Sequence, residues 1–194
     1  MDLMELIKAV GYVGLFAIIF AESGLFFGFF LPGDSLLFTA GFLAAQGFFG
    51  IWPAILVVFV AAVTGDTVGY LFGKKIGPAL FKRENSRFFK REYLLKAEKF
   101  YEENGAKTII LARFIPFVRT FAPIVAGVGK MNYGKFIRYN IIGGFLWSFG
   151  LMLGGYFLGQ IIPDVDKYLL PIILGIVFVS LLPTIWHVIK ERRK

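Results

Sequence analysis

The segment from Arg113 to Pro123, RFIPFVRTFAP, places two arginines and two prolines inside one of the most apolar parts of the chain. A guanidinium at the centre of a membrane-spanning helix costs about 2.5–3.5 kcal/mol on insertion scales, so the pair would load a single span with about 5–7 kcal/mol. A plain lipid-facing helix is disfavoured at that cost. The arginines either lie outside a membrane or are held within it, inside protein or a wet cavity, opposite anionic partners.

The rest of the chain points to a membrane. Of 194 residues 57% are hydrophobic and only 18% charged, and the mean hydropathy is +0.71, far from the composition of a soluble domain. No linker or charge block marks off a second unit, so the chain is expected to form one membrane domain spanning 1–194. The net charge of +8 is concentrated beside apolar segments: ten of the 21 basic residues fall between Lys74 and Lys107, and four more between Lys190 and Lys194. Such placement follows the positive-inside rule. It assigns the 74–107 segment and the C-terminus to the cytoplasmic side, against anionic lipids, and argues against nucleic acid as a partner. There is no cysteine, hence no thiolate metal site, disulfide or cysteine nucleophile, and no metal or cofactor is expected. Asp2, Glu5 and a single Lys8 do not make the basic start of a cleaved signal peptide.

In chain order, Asp2 to Lys8 predicts a short amphipathic helix ended by a Gly11/Gly14 break, and the apolar run Ala9 to Ala21 is too short to span. Glu22 closes that run. Gly24, Gly28, Pro32 and Gly33 then favour a turn leading to Asp34. On a straight helix Glu22 and Asp34 would stand about 18 Å apart along the axis; a hairpin would bring them together. Ser35 to Phe49 predicts the returning arm, and Pro53 to Phe72 a full span carrying Asp66 beside the Gly65/Gly69 pair. Asp66 is read either as a third acid at membrane depth or as a partner of Lys74 or Lys75. The hydrophilic stretch Pro78 to Gly105 predicts an amphipathic helix on the membrane surface. Lys107 to Gly129 predicts a second broken segment, and Gly134 to Ile162 a tilted span. An acidic loop at Asp164 and Asp166 leads to a last span at about 168–189, where His187 sits at the interface.

A shift of 86 residues lays Ala40–Gly41 on Ala126–Gly127, Phe59 on Phe145, Gly69–Tyr70 on Gly155–Tyr156 and Gly73 on Gly159. The fold class expected is therefore an all-α integral membrane protein of two inverted repeats, about 1–77 and about 87–163, followed by the C-terminal span. Each repeat consists of an amphipathic helix, a re-entrant helical hairpin and a transmembrane helix. Interrupted apolar segments at matching places in inverted halves point to a transporter site at the midplane. Glu22 and Asp34 belong to one hairpin, Arg113 and Arg119 to the other. With Pro116 breaking the helix between them, both arginines can face one cavity.

The motifs E-S-x(8)-P-G-D (Glu22 to Asp34), G-D-x-x-G-Y-x-x-G (Gly65 to Gly73) and R-F-x-P-x-x-R-x-x-x-P-x-x-A-G (Arg113 to Gly127), with Asn140 and Trp147, resemble the DedA family of bacterial membrane proteins. That family is related to eukaryotic VTT-domain lipid scramblases, and it often carries glutamate where Asp34 stands here. The resemblance implies a multi-pass protein of the bacterial inner membrane that returns undecaprenyl phosphate across it, coupled to the proton-motive force. Arg113 and Arg119 would bind phosphate through their planar forks. Glu22 and Asp34 would carry protons or supply counter-charge, with Asp66, Pro32, Gly33, Pro116, Pro123, Asn140 and Trp147 in support. A proton-coupled transporter of small solutes or ions and a general phospholipid scramblase are the alternatives, and a homo-oligomer is left open. An enzyme is not expected: the one histidine lies at the far interface and Ser23 has no base beside it in sequence.

Overall fold

The structure, a computed structural model, describes residues 3–25, 33–80, 105 and 107–161. All regular elements among them are helices: α1 (Leu3–Gly24), α2 (Gly33–Ala45), α3 (Ile51–Leu80), α4 (Lys107–Arg113), α5 (Pro116–Val128) and α6 (Tyr133–Ile161). Two stretches are long and apolar enough to cross a membrane, Ile51–Gly77 with 27 residues and Tyr133–Ile161 with 29. The surface helix expected over 78–105 has its first three residues in α3, and its residues 81–104 lie outside the described residues, as do Pro32, the loop at Asp164 and Asp166, and the span at about 168–189.

Three boundaries differ from expectation. No break occurs at Gly11 or Gly14, and α1 runs on from the N-terminal segment without interruption. Each glycine costs about 1 kcal/mol in a helix. Burial of Leu15 and Ile19 in the core that also holds Val58, Ala61 and Ala62 of α3 offsets that cost. The span expected at Pro53–Phe72 is longer: Pro53 falls in the first turn, where its missing N–H is harmless, and the helix runs on past Phe72 to Leu80. The arm expected to reach Phe49 stops at Ala45. There Gly47 adopts φ +79° and the Phe48 N–H bonds back to the Leu43 carbonyl at 3.2 Å, closing the helix end.

Glycines set how the helices meet. Gly65, Gly69, Gly73 and Gly77 recur every fourth residue, so they form one stripe along α3. Its first member lies against α1, where a Cβ on Gly65 would stand 2.9 Å from the Phe20 carbonyl oxygen. The others lie against Ile124, Pro123 and Val128 of α5. The reciprocal contact pairs α2 with α6: a Cβ on Gly41 would overlap the Met152 carbonyl, and one on Gly155 the Phe38 carbonyl. In both pairs the backbones touch directly, which side chains elsewhere on these helices would forbid. The Gln46 side-chain amide fastens the second pair by donating to the Gly159 carbonyl at 2.8 Å.

Gly73→Val tests this packing, because its Cβ would overlap the Ile124 carbonyl whereas one on Gly150 would meet nothing within 4 Å. Overpacking of this kind costs about 1–3 kcal/mol. Thermal unfolding in detergent should show a clear fall for Gly73→Val and little change for Gly150→Ala; equal transitions would refute the direct backbone contact.

Candidate functional site

Helices α1, α2, α4 and α5 bring their charged ends together. Glu22 lies in the last turn of α1 and Asp34 in the first turn of α2. Arg113 is the last residue of α4, and Arg119 falls in the first turn of α5. The break between α4 and α5 has a local cause. Pro116 fixes the first position of α5 and leaves Ile115 extended at φ −111°, ψ 108°. Two tight hydrogen bonds, Phe114 N–H to Leu111 and Ile115 N–H to Ala112, wind up the end of α4. Pro123, within α5, has no N–H to offer the Arg119 carbonyl one turn back.

Arg119 forks between two acids. Its Nη2 donates to Glu22 Oε1 and its Nη1 to Asp34 Oδ1, so residues distant on a straight helix meet on one guanidinium. This cation stands at the positive end of its own helix, an unfavourable place that the two carboxylates compensate. Glu22 ends its helix against the N-terminus of α2, where a Cβ on Gly33 would overlap its carboxylate. Only glycine fits there without pushing Glu22 off Arg119. The two acids differ in access: the Glu22 side chain is 2% exposed, that of Asp34 34%.

Arg113 has a separate set of partners. Its Nη2 donates to Asp66 Oδ2 and, at 2.5 Å, to Asn140 Oδ1. Asn140 is oriented in turn by donating from Nδ2 to the Val63 carbonyl at 3.1 Å. Burial of the pair is nearly complete, with Arg113 at 4% and Asp66 at 5% exposure. The reading that Asp66 pairs with Lys74 or Lys75 is thereby corrected: both lysines are exposed, and two turns of helix set Lys74 about 12 Å further along α3.

Trp147 links the two sets. The Arg119 Cζ lies 5.0 Å and the Arg113 Cζ 5.8 Å from the indole centroid, while its Nε1 donates to Asp34 Oδ1 at 2.7 Å. Asn140 and Trp147 are seven residues apart and share the inward face of α6. The structure thus brings Glu22, Asp34, Asp66, Gly33, Asn140 and Trp147 together with both arginines. Pro123 packs behind the site against Gly69. Sequence reasoning missed the Val63 carbonyl, a backbone group without a side-chain signature.

Among the described residues, no group of histidines, cysteines and carboxylates has the arrangement of a metal site. The arrangement joins two guanidiniums, three carboxylates and an aromatic wall where helix ends meet. Arginine forks can bind carboxylate and phosphate with the same geometry.

A VTT domain model matches residues 31–157, a range that includes Asp34, Asp66, Arg113, Arg119, Asn140 and Trp147. Protein DedA of Escherichia coli (strain K12) is 46% identical over 98% of this chain and 89% of its own length. An uncharacterised membrane protein of Mycobacterium leprae is 54% identical over 88% of this chain and 77% of its own length. The inner membrane protein YqjA of Escherichia coli is 37% identical over 77% and 68%. No solved structure matches the chain. The long apolar helices, the charged break and these similarities agree, and the chain is a membrane protein belonging to the DedA family, with a VTT domain.

Proposed function

We propose that this protein carries a lipid phosphate across the bacterial inner membrane, with undecaprenyl phosphate the first candidate and protons as the coupling ion. The observation that carries this reading is the forked Arg119. Its charge is balanced by one sealed carboxylate and one that is partly open, so an anion arriving from the Asp34 side can replace Asp34 without uncovering Glu22. Arg113, closed off by Asp66 and Asn140 behind Trp147, is then the second cation on the path. Arg119 takes the head group first, and Arg113 receives it when the two halves rearrange.

Three carboxylates face two guanidiniums in this cluster, and Glu22 Oε2 is buried with no hydrogen-bond partner among the described residues. A phosphate adds further negative charge to a site already one negative charge in excess. Binding it therefore favours proton uptake by a carboxylate, which is the linkage that a proton-coupled carrier requires.

The reciprocal pairing of α2 with α6 and α3 with α5 supports two inverted repeats with re-entrant hairpins, since its contacts use glycines 86 positions apart, Gly41 with Gly127 and Gly73 with Gly159. In this reading the chain is one domain with its basic 74–107 segment and C-terminus in the cytoplasm, against anionic lipids. It acts as a carrier and not as an enzyme. The test uses wild-type proteoliposomes with a fluorescent polyprenyl phosphate and an imposed pH gradient. The gradient should accelerate movement of that lipid between leaflets while leaving labelled phosphatidylcholine in place. Equal movement of both lipids would mark a general scramblase, and proton-driven uptake of a solute without lipid movement would mark a solute transporter; either refutes the proposal.

A further inference from the structure

Among the described residues, Trp147 is the one side chain in the site shown to touch both guanidiniums and an acid. Its indole N–H and Arg119 Nη1 donate to the same oxygen, Asp34 Oδ1. Its ring lies against Arg119 on one hand and Arg113 on the other. It is buried, and it projects from the middle of the 29-residue helix α6, whereas Asp34 and Arg119 both lie in the first turns of their helices. Of the three groups meeting at that oxygen, Trp147 is the most firmly placed.

We infer that Trp147 is a positioning residue that retains Asp34 when an anion takes Arg119, and so keeps the displaced carboxylate from competing for the site. The inference rests on the reading of Arg119 as the phosphate-binding cation. Asp34 is tethered a few ångströms from Arg119, so once displaced it is present at a very high effective concentration and would win the guanidinium back. A hydrogen-bond donor that holds it aside removes that competition. Indole suits the task because it is a donor only and carries no charge. It holds the carboxylate without drawing the incoming phosphate away from Arg119. The ring at the same time keeps both guanidiniums against an apolar wall, where their attraction for an anion is weakly screened.

Two measurements test the inference. The first is equilibrium binding of a short-chain polyprenyl phosphate to the purified protein. Trp147→Phe keeps an aromatic ring and removes the donor; it should weaken binding about tenfold, the order set by losing a hydrogen bond to a charged group. Adding Asp34→Asn should restore the affinity, because an amide carries no charge with which to reclaim Arg119. Wild-type affinity in Trp147→Phe overturns the inference, and so does a loss that Asp34→Asn leaves in place, which would mark a packing role.

The second measurement needs no ligand. In ¹⁵N-indole-labelled protein the Trp147 N–H resonance, assigned by its disappearance in Trp147→Phe, should move on Asp34→Asn and keep its hydrogen-bonded position in Arg119→Ala. Collapse of that resonance to the free indole position in Arg119→Ala overturns the inference, since Trp147 would then not hold Asp34 unaided. Absence of lipid-phosphate binding by the wild-type protein refutes the transport reading instead, and the indole resonance still decides the role of Trp147.

Discussion

Arg119→Ala should lower lipid-phosphate flipping in proteoliposomes by about ten- to a hundredfold. The guanidinium makes two charge-assisted hydrogen bonds in the empty site, and a phosphate would replace at least one of them with a bond of the same kind. One such bond contributes about 1.5–3 kcal/mol, which is one to two tenfold steps of about 1.4 kcal/mol. Arg119→Lys should fall between the two, because an ammonium keeps the charge and loses the fork that reaches two oxygens in fixed geometry. Removing Arg119 also leaves Glu22 buried without its counter-ion. The double variant Arg119→Ala with Glu22→Gln removes that liability and should fold normally while remaining inactive. Wild-type flipping in this double variant would exclude Arg119 as the phosphate ligand.

Arg113→Ala should have the larger effect on stability. It strands the Asp66 carboxylate in a nearly closed site with Asn140 as its neighbour, and breaking a buried ion pair from one side costs about 3–5 kcal/mol. Replacing both partners with apolar residues of similar volume is a different experiment. Such exchanges are neutral or stabilising in other proteins because the desolvation of two charges is avoided. Arg113→Met with Asp66→Leu should therefore recover the unfolding transition of the wild type in detergent to within about 1 kcal/mol. The same variant should bind polyprenyl phosphate at Arg119 and fail to flip it, since the second cation on the path is gone. Wild-type flipping by the stable double variant would show that the pair serves the fold alone.

The membrane character, the family and the charged residues of the site were legible in the chain itself. Lipid leaves few alternatives to apolar helices, so the long apolar runs had to be helical, and arginines and carboxylates among them had to meet one another or water. The break at Pro116 was equally legible, because proline restricts its own backbone and that of Ile115 whatever the surroundings. Gly11 and Gly14 misled for the opposite reason. A glycine states only that the backbone is free to bend, and the packing of α1 on α3 kept it straight.

Which arginine meets which acid was decided in three dimensions. The sequence placed two arginines opposite two acids and left Asp66 between readings; the structure divides them into Arg119 with Glu22 and Asp34, and Arg113 with Asp66 and Asn140. The division follows from where the glycine stripe of α3 seats α5, and where α2 settles on α6, because those contacts fix which helix ends come within a hydrogen bond of each other. A linear chain can state that its charges need partners, since burial of a lone charge is costly in any fold. Only the packed helices choose the partners, because a hydrogen bond is won or lost within about 1 Å and that precision comes from backbones in contact.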